Sequence, residues 1–511
     1  MSVKRPNILF MLADDYGAWA MGCSGNCEVK TPTLDRLAEN GMRFENFFCV
    51  SPVCSPARAS IFTGKIPSQH GVHDWLDKGH LDAELLSDEL KESFDGPNRP
   101  WYCDWIKFSL EGDKAVPYLA PHKTFTEVLS ENGYECGLSG KWHMGDSVHP
   151  QAGFDYWKTT AIGAENYLYP VVLENGKMTV KHNYYVTDYI ADKAIDFIDQ
   201  HDKDKPFYLS VHFTAPHAPW AAKDHPAEYI EMYRDCPFDS VPALPPHPWT
   251  KNDIHQTLKD WKKEVHVNLR FRNVENPPIL ETWEGHRKES LRGYYAATTA
   301  MDTAIDRILK TLERRGELEN TIVIFTGDNG MSMGHHGIFG KGNGTIPLNM
   351  YDTAVKVPAI VCAAEGIQKG VVCKELLSHY DLYETVLDLA GVPFEKPDDL
   401  PGVSFAPILR GEQERVRDSV VVYDEYGPCR MIRTKEWKLV RRYPEGPDEL
   451  YDLVNDPDEA TNLIDDPRYT ALIDDLSSQL TGWFDRYVDP AHDGTKEAVY
   501  GRGQLDYHRF K

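Results

Sequence analysis

One cysteine heads the residues able to do chemistry. The run Cys54-Ser55-Pro56-Ala57-Arg58-Ala59-Ser60-Ile61-Phe62-Thr63-Gly64-Lys65 reads as the start of a helix. Pro56 suits the first turn, where its missing N–H would be unpaired anyway. Residues 57–62 continue the helix, and Gly64 ends it. Cys54 then stands at the positive end of a helix dipole, a place for an anion or an activated nucleophile. A second group is acidic. Residues 7–13 form a short apolar run, the pattern of a buried parallel strand, and the run ends in Asp14-Asp15. Residues 321–326 repeat the pattern and end in Gly327-Asp328-Asn329-Gly330. Carboxylates at the carboxyl ends of such strands lie in the crevice where open α/β sheets bind ligands. Two strand ends that offer only hard oxygen ligands suit calcium or magnesium, and calcium over zinc.

Cations and histidines come next. Lys141 and His143 sit two residues apart in Gly140-Lys141-Trp142-His143, so an extended segment would turn both to one side. His217 lies between Pro216 and Pro219, which stiffen its loop. His336 and Lys341 belong to His335-His336-Gly337-Ile338-Phe339-Gly340-Lys341. His73-Asp74 follows Cys54 closely, in an irregular stretch that carries Trp75, Trp101, Tyr102, Trp105 and Tyr118. Aromatic rings can stack on the C–H faces of sugars while polar groups read hydroxyls, which makes His73 and Asp74 candidate substrate contacts. Taken singly, each motif also fits a plainer role: an Asp turn cap, a surface lysine, a packed loop histidine.

Taken together, they resemble a known pattern. Cys54-x-Pro56-x-Arg58 followed by Thr63-Gly64-Lys65 resembles the signature of the formylglycine-dependent (type I) sulfatase family of the alkaline phosphatase superfamily. The resemblance implies that Cys54 is oxidised by a separate formylglycine-generating enzyme and that the aldehyde hydrate is the nucleophile. It assigns Asp14, Asp15, Asp328 and Asn329 to one calcium ion. It gives Arg58, Lys141 and Lys341 the sulfate charge, His217 or Lys341 the leaving oxygen, and His143 the collapse of the hydrate. Asp328 could also hold the proton of the attacking hydroxyl, and His336 joins the substrate contacts. The implied activity is hydrolysis of a sulfate monoester, on a sugar, as in bacterial carbohydrate sulfatases. A phosphonate or phosphate monoester hydrolase of the same superfamily is the nearest alternative. A non-catalytic, calcium-dependent sugar-binding protein with an unconverted Cys54 is another.

The elements that must position these groups follow the same resemblance: an alkaline-phosphatase-like α/β fold, with a central mixed sheet between helices. A small C-terminal antiparallel sheet plus helix completes it, giving a catalytic domain at 1–411 and an α+β subdomain with a tail at 412–511. Expected helices cover residues 31–41, 124–132, 191–200, 291–315 and 379–390. Expected strands cover 42–50, 134–139, 206–213 and 358–363. Short strands at 419–423, 430–434 and 437–441 precede a helix at 472–484. Residues 221–286 match no recognised element and read as a pocket rim or a dimer surface, hence a possible homo-oligomer.

Composition limits the partners. The 511 residues carry 79 Asp and Glu against 55 Lys and Arg, a net charge of -24, which suits neither nucleic acid nor a distant attraction for anions. An anion site here needs local cations or metal. The ten cysteines form no CxxC pair. No apolar run is long enough to span a bilayer, so no membrane role is expected. The first residues carry no leader-like apolar stretch, which points to a cytoplasmic location.

Overall fold

Strand β1, Asn7–Ala13, is buried at every position, as its apolar run requires. The structure, a computed structural model, describes residues 5–496 apart from 74, 77, 87, 94–105, 107–113, 175, 252–282, 346, 425–428 and 444–445. Asp74, Trp101, Tyr102 and Trp105 therefore lie outside the described residues, as do residues 252–282 of the 221–286 insertion.

Nine strands join β1 in one ten-stranded sheet. They are β2 Gly41–Phe44, β3 Glu135–Gly140, β4 Tyr156–Thr160, β5 Val171–Glu174 and β6 Lys177–Val180. The rest are β7 Phe207–His212, β8 Thr321–Gly327, β9 Ala359–Cys362 and β10 Val371–Cys373. The order across the sheet is β10-β2-β9-β8-β1-β7-β3-β4-β5-β6. The centre is parallel: β1 pairs in parallel with β7 and β8, and β3 pairs in parallel with β7 and β4. Toward the edges, β9 runs antiparallel to β8 and β2, and β5 runs antiparallel to β4 and β6. This is the mixed sheet that the sequence leads one to expect. The register decides where chemistry can occur. Ala13 lies opposite Gly327, Leu12 opposite His212, and Gly140 opposite His212. Asp14, Asp328, Lys141 and the loop after β7 therefore emerge at one end of the sheet.

The period of two along β1 builds two cores. Ile8, Phe10 and Leu12 join a cluster that includes Ile61 and Phe62 of helix α2, Cys54–Thr63. Leu9, Met11 and Ala13 join a cluster with helices α3, Val186–Gln200, and α4, Trp283–Arg315. Each fully buried aliphatic or aromatic side chain is worth roughly 1.5–3 kcal/mol. Both helices start earlier than the sequence suggests. In α4 the polar turn before Leu291 contains Arg287, whose guanidinium donates to the Phe238 and Val241 carbonyls, so hydrogen bonds replace an apolar face. In α3, Val186 and Tyr189 are poor helix formers that become fully buried, and packing overrides propensity.

Two nearby expectations also change. The helix at 31–41 ends at Glu39, and Gly41 opens β2 with an extended backbone. A Cβ there would lie 2.3 Å from the Val361 carbonyl, so glycine serves strand approach, not a helix cap. The expected strand at 42–50 splits into β2 and a two-residue strand, Phe47–Phe48, which pairs with Leu377–Ser378 in a separate ladder.

The C-terminal strands β11 Val420–Asp424, β12 Cys429–Arg433, β13 Trp437–Arg442 and β14 Glu449–Asp452 form an antiparallel sheet. Val420, Val422, Met431 and Val440 sit in the same cluster as Ile8 and Phe10. The opposite face, with Val421, Tyr423, Ile432 and Leu439, packs against Leu476, Leu480 and Phe484 of helix α5, Thr470–Tyr487. The described part of the tail folds back: the Asp489 N–H donates to Ser68 Oγ, and Arg430 pairs with Asp493 at 2.5 Å. Among the described residues no helix is long and apolar enough to cross a membrane.

Candidate active site

Helix α2 begins at Cys54 itself, and all ten of its residues are buried. Gly64 ends it in left-handed backbone (φ 66°), as the sequence leads one to expect. The Cys54 thiol lies 2.7 Å from Lys341 Nζ and 3.9 Å from Asp15 Oδ1. Lys341 Nζ also donates to Asp15 Oδ1. Lys141 Nζ pairs with Asp14 Oδ2 at 2.5 Å. Arg58, one helical turn after Cys54, donates from Nε to Asp328 Oδ2 and from Nη1 to the Lys141 carbonyl, both at 2.8 Å. His217 Nε2 is 3.5 Å from Asp15 Oδ2. Asn329 Nδ2 donates to Asp15 Oδ1 at 2.9 Å. The structure thus gathers Cys54, Arg58, Lys141, His217, Lys341, Asp14, Asp15, Asp328 and Asn329 into one buried cluster.

The backbone is held for this purpose. Asp15 stands in left-handed backbone (φ 56°), uncommon outside glycine. Its carbonyl accepts the Tyr294 hydroxyl from α4, and its N–H donates to Asp328 Oδ1. His379 donates to the Gly327 carbonyl just before Asp328, and Asp381 accepts the Ser378 and Val403 N–H groups. Asn349 fastens the Lys341 loop by donating to the carbonyls of Lys341 and Gly342. Tyr294 and Asn349 do not stand out in the sequence, because single polar residues in apolar or loop text carry no periodic signal.

Charge is balanced inside the cage. Three carboxylates face three cations, Arg58, Lys141 and Lys341. Burial pushes the Asp14 carboxyl up to about 7, only partly opposed by Lys141. Burial also works against the Asp15 and Asp328 carboxylates. Lys341 and His217 outweigh it for Asp15, and Arg58 with Lys141 for Asp328, so both lie below the usual range. Both oxygens of Asp328 are occupied, Oδ2 by Arg58 and Oδ1 by two N–H groups, so it is a poor holder for a nucleophile's proton. Burial pushes the Cys54 thiol up to about 12 in spite of Lys141 and Lys341. As cysteine, residue 54 is a protonated thiol and not the activated thiolate that its helix position suggests.

Some buried atoms in the cage lack partners. Among the described residues, Asp14 Oδ1 and Asn329 Oδ1 are buried acceptors with no hydrogen-bond donor, and Arg58 Nη2 is a buried donor with no acceptor. Asp14, Asp15, Cys54 and His217 bring potential ligand atoms within 4.8 Å of one another. Two orphaned oxygens beside carboxylates fit a hard divalent cation, and a free guanidinium N–H beside them fits an anionic oxygen.

Comparison with known proteins agrees with this geometry. The sequence profile of the family described as Sulfatase matches residues 6–392. The chain belongs to the sulfatase family. A second profile, N-sulphoglucosamine sulphohydrolase C-terminal, matches residues 334–485 of this sulfatase. The chain is similar to an N-acetylglucosamine-6-O-sulfatase of Bacteroides thetaiotaomicron, 29% identical over 98% of this chain and 90% of that protein. It resembles a solved structure described as a complex with its substrate D-glucosamine-2-N,6-O-disulfate, at a TM-score of 0.73 and 27% identity, covering 97% of this chain and 100% of the other. A phosphonate monoester hydrolase of Agrobacterium radiobacter shares the fold, at a TM-score of 0.65 and 21% identity, over 94% of this chain and 96% of that one. The protein is accordingly a sulfuric ester hydrolase, with the sulfatase fold.

Of the three expected sugar contacts, the two described ones stand apart from the cluster. Asp74 lies outside the described residues. His73 is fully buried, with neither ring nitrogen partnered among the described residues, and its ring lies 6.5 Å from His492 of the tail. His336, in left-handed backbone (φ 54°), stacks on Tyr351 at 3.7 Å. No hydrogen bond ties either histidine to the cage among the described residues. His143 is close to the cage but not as expected. Strand β3 ends at Gly140, and His143 has left-handed backbone (φ 57°), so it does not share a strand face with Lys141. Its Nε2 donates to the Leu76 carbonyl at 2.9 Å, and buried Nδ1 has no hydrogen-bond partner among the described residues.

Proposed function

We propose that this sulfatase hydrolyses an O-sulfate monoester on a sugar, with formylglycine made from Cys54 by a maturation enzyme and one calcium ion held by Asp14, Asp15, Asp328 and Asn329. The observation that carries this is Lys341 Nζ, which bridges the residue 54 side chain and Asp15 and so ties the nucleophile's position to the acidic cage. The sugar is supported by the relatives, one named for N-acetylglucosamine 6-O-sulfate and one bound to a glucosamine disulfate.

Calcium, when bound, would polarise the sulfate oxygens and offset the carboxylates. Formylglycine, as its hydrate, would supply one hydroxyl to attack sulfur and a second to release sulfate. The chain's own residues do the rest. Arg58 offers Nη2, and Lys141 and Lys341 offer ammonium charge, to oxygens that gain negative charge in the transition state; each such preorganised donor is typically worth about 10²–10³ in kcat. His217 donates from Nδ1 to the Ala218 carbonyl, so the Asp15 carboxylate favours a proton on Nε2. That proton, or one from Lys341, goes to the departing alcohol. His143 Nδ1 accepts a proton as sulfate is released. Asp74 and His336 complete the proposal as contacts to the sugar; His73, fully buried, is not among them.

The test is a screen of the matured protein against 6-O- and 2-O-sulfated glucosamine, an aryl sulfate and the matching phosphate esters, with Cys54→Ala as control. Turnover of a sulfated sugar is expected, with phosphate esters slower. Equal or faster turnover of the phosphate ester would favour the phosphohydrolase reading. Inert sugars alongside a fast aryl sulfate would remove the sugar.

A further inference from the structure

The connection between β4 and β5, residues 161–170, touches both site histidines. A Cβ built at Gly163 would lie 2.1 Å from His143 Nε2 and 2.4 Å from Cδ2 and Cε1 of the same ring, so the Gly163 backbone lies flush against the imidazole. Four residues on, the Tyr167 hydroxyl donates to the His217 carbonyl at 2.7 Å. Tyr167 is itself fixed: it is fully buried, stacks on Tyr185 at 5.4 Å and meets the His225 ring at a tilt at 4.5 Å, and its carbonyl accepts the Val186 N–H.

Glu165 lies between these two contacts. It is 2% exposed, and among the described residues no salt bridge ties it to a cation, although the Lys141 charge acts on it; its Oε1 accepts the Ile162 N–H and its Oε2 the Val171 N–H, both at 3.0 Å. The carboxylate thus ties the first residues of the loop to the first residue of the strand that follows it. A buried carboxyl spent on two backbone donors costs desolvation that a loop with no positional duty would avoid. We propose that residues 161–170 are a clamp on His143 and His217, and that Glu165 is the positioning residue that fixes it, so that His143 keeps its Nε2–H on Leu76 and its Nδ1 lone pair free for the reaction. The proposal rests on the role given above to His143, and its test separates the two.

Gly163→Ala, Glu165→Ala and Tyr167→Phe are compared with the parent in two measurements. The first uses the Cys54 thiol form and needs no turnover: the 15N shifts of the His143 ring, assigned by their absence in His143→Gln. The parent shows protonated Nε2 and unprotonated Nδ1. Gly163→Ala displaces the ring and Glu165→Ala frees the loop, so both are expected to average or invert that pattern, while Tyr167→Phe leaves it unchanged. The second uses matured protein: kcat is expected to fall tenfold or more in Gly163→Ala and Glu165→Ala, and severalfold in Tyr167→Phe, with KM within about threefold of the parent. Glu165→Gln, which keeps one acceptor, recovers part of the loss. An unchanged His143 pattern in folded Gly163→Ala and Glu165→Ala overturns the clamp. So does a loss that appears in KM alone. A parent enzyme with the expected ring pattern but no sulfatase turnover would instead overturn the reading of the site.

Discussion

Replacing Arg58 by Met should destabilise the fold by an amount that the structure lets one work out. Arg58 and Asp328 are each 0% exposed and pair at 2.8 Å. Removing one partner of a buried pair leaves the other charge uncompensated, which costs about 3–5 kcal/mol. Lys141 and Lys341 also act on Asp328, which places the cost near the lower end, about 3 kcal/mol. At roughly 2.1 cal/mol/K per residue, a 511-residue chain unfolding as one unit has an entropy near 1 kcal/mol/K. The melting temperature in chelator-containing buffer should therefore fall by about 3 °C in Arg58→Met. Arg58→Met with Asp328→Asn removes the stranded charge and should recover at least half of that loss. Calorimetry of the four proteins in the cycle checks this. If Arg58→Met melts within error of the parent, or the double variant melts below Arg58→Met, the argument that Arg58 carries the charge of Asp328 is wrong.

Calcium at a hundredfold excess over its dissociation constant should add about 2.7 kcal/mol, a rise of about 3 °C, and Asn329→Leu should lose the rise; a parent that melts identically with calcium and with chelator would remove the cation from the site. Lys341→Met should lower kcat by about 10²–10³ in matured protein, as steady-state kinetics on a sulfate ester will show, and a change confined to KM would contradict its placement beside residue 54. His225 should contribute to acid sensitivity. It is 4% exposed, and burial pushes its imidazole down to about 4, against an unfolded value near 6.5. The unfolded chain binds that proton first, so the contribution is full above pH 6.5 and is lost as pH falls toward 4. Between pH 7 and 5 the loss is about 2 kcal/mol. Urea titrations of the parent and His225→Gln at both pH values should show the variant losing less stability on acidification, and an equal loss would refute this.

What the sequence made legible was what it writes in short strings. The signature around Cys54, the acid pairs after two apolar strands and the lysines after glycine-rich turns were all readable, because each role needs a particular residue type at a strand or helix end. The register that brings Asp14, Asp328 and Lys141 to one end of the sheet was implied by the buried parallel strands. Contacts across long separations were not readable. Asp302 of α4 accepts the Thr33 and Leu34 N–H groups and so caps the helix Pro32–Glu39. Thr31 makes no cap there; its hydroxyl instead accepts the Gly22 N–H. His143 misled because a period of two holds only where the strand continues, and β3 stops at Gly140. His336 matched a string, but its left-handed backbone turns the ring onto Tyr351.

The small C-terminal sheet has a consequence for how the enzyme is made. Lys438 on β13 reaches Asp352 and Glu459 and donates to the Met350 carbonyl, in the segment just past the Lys341 loop. Ile338 and Tyr351 pack against Tyr451 and Leu453. The loop that carries Lys341 is therefore braced by residues about a hundred positions later. Synthesis must run on past Glu459 before that lysine can settle, and a premature stop between Lys341 and Lys438 would remove the brace while leaving every reacting group intact.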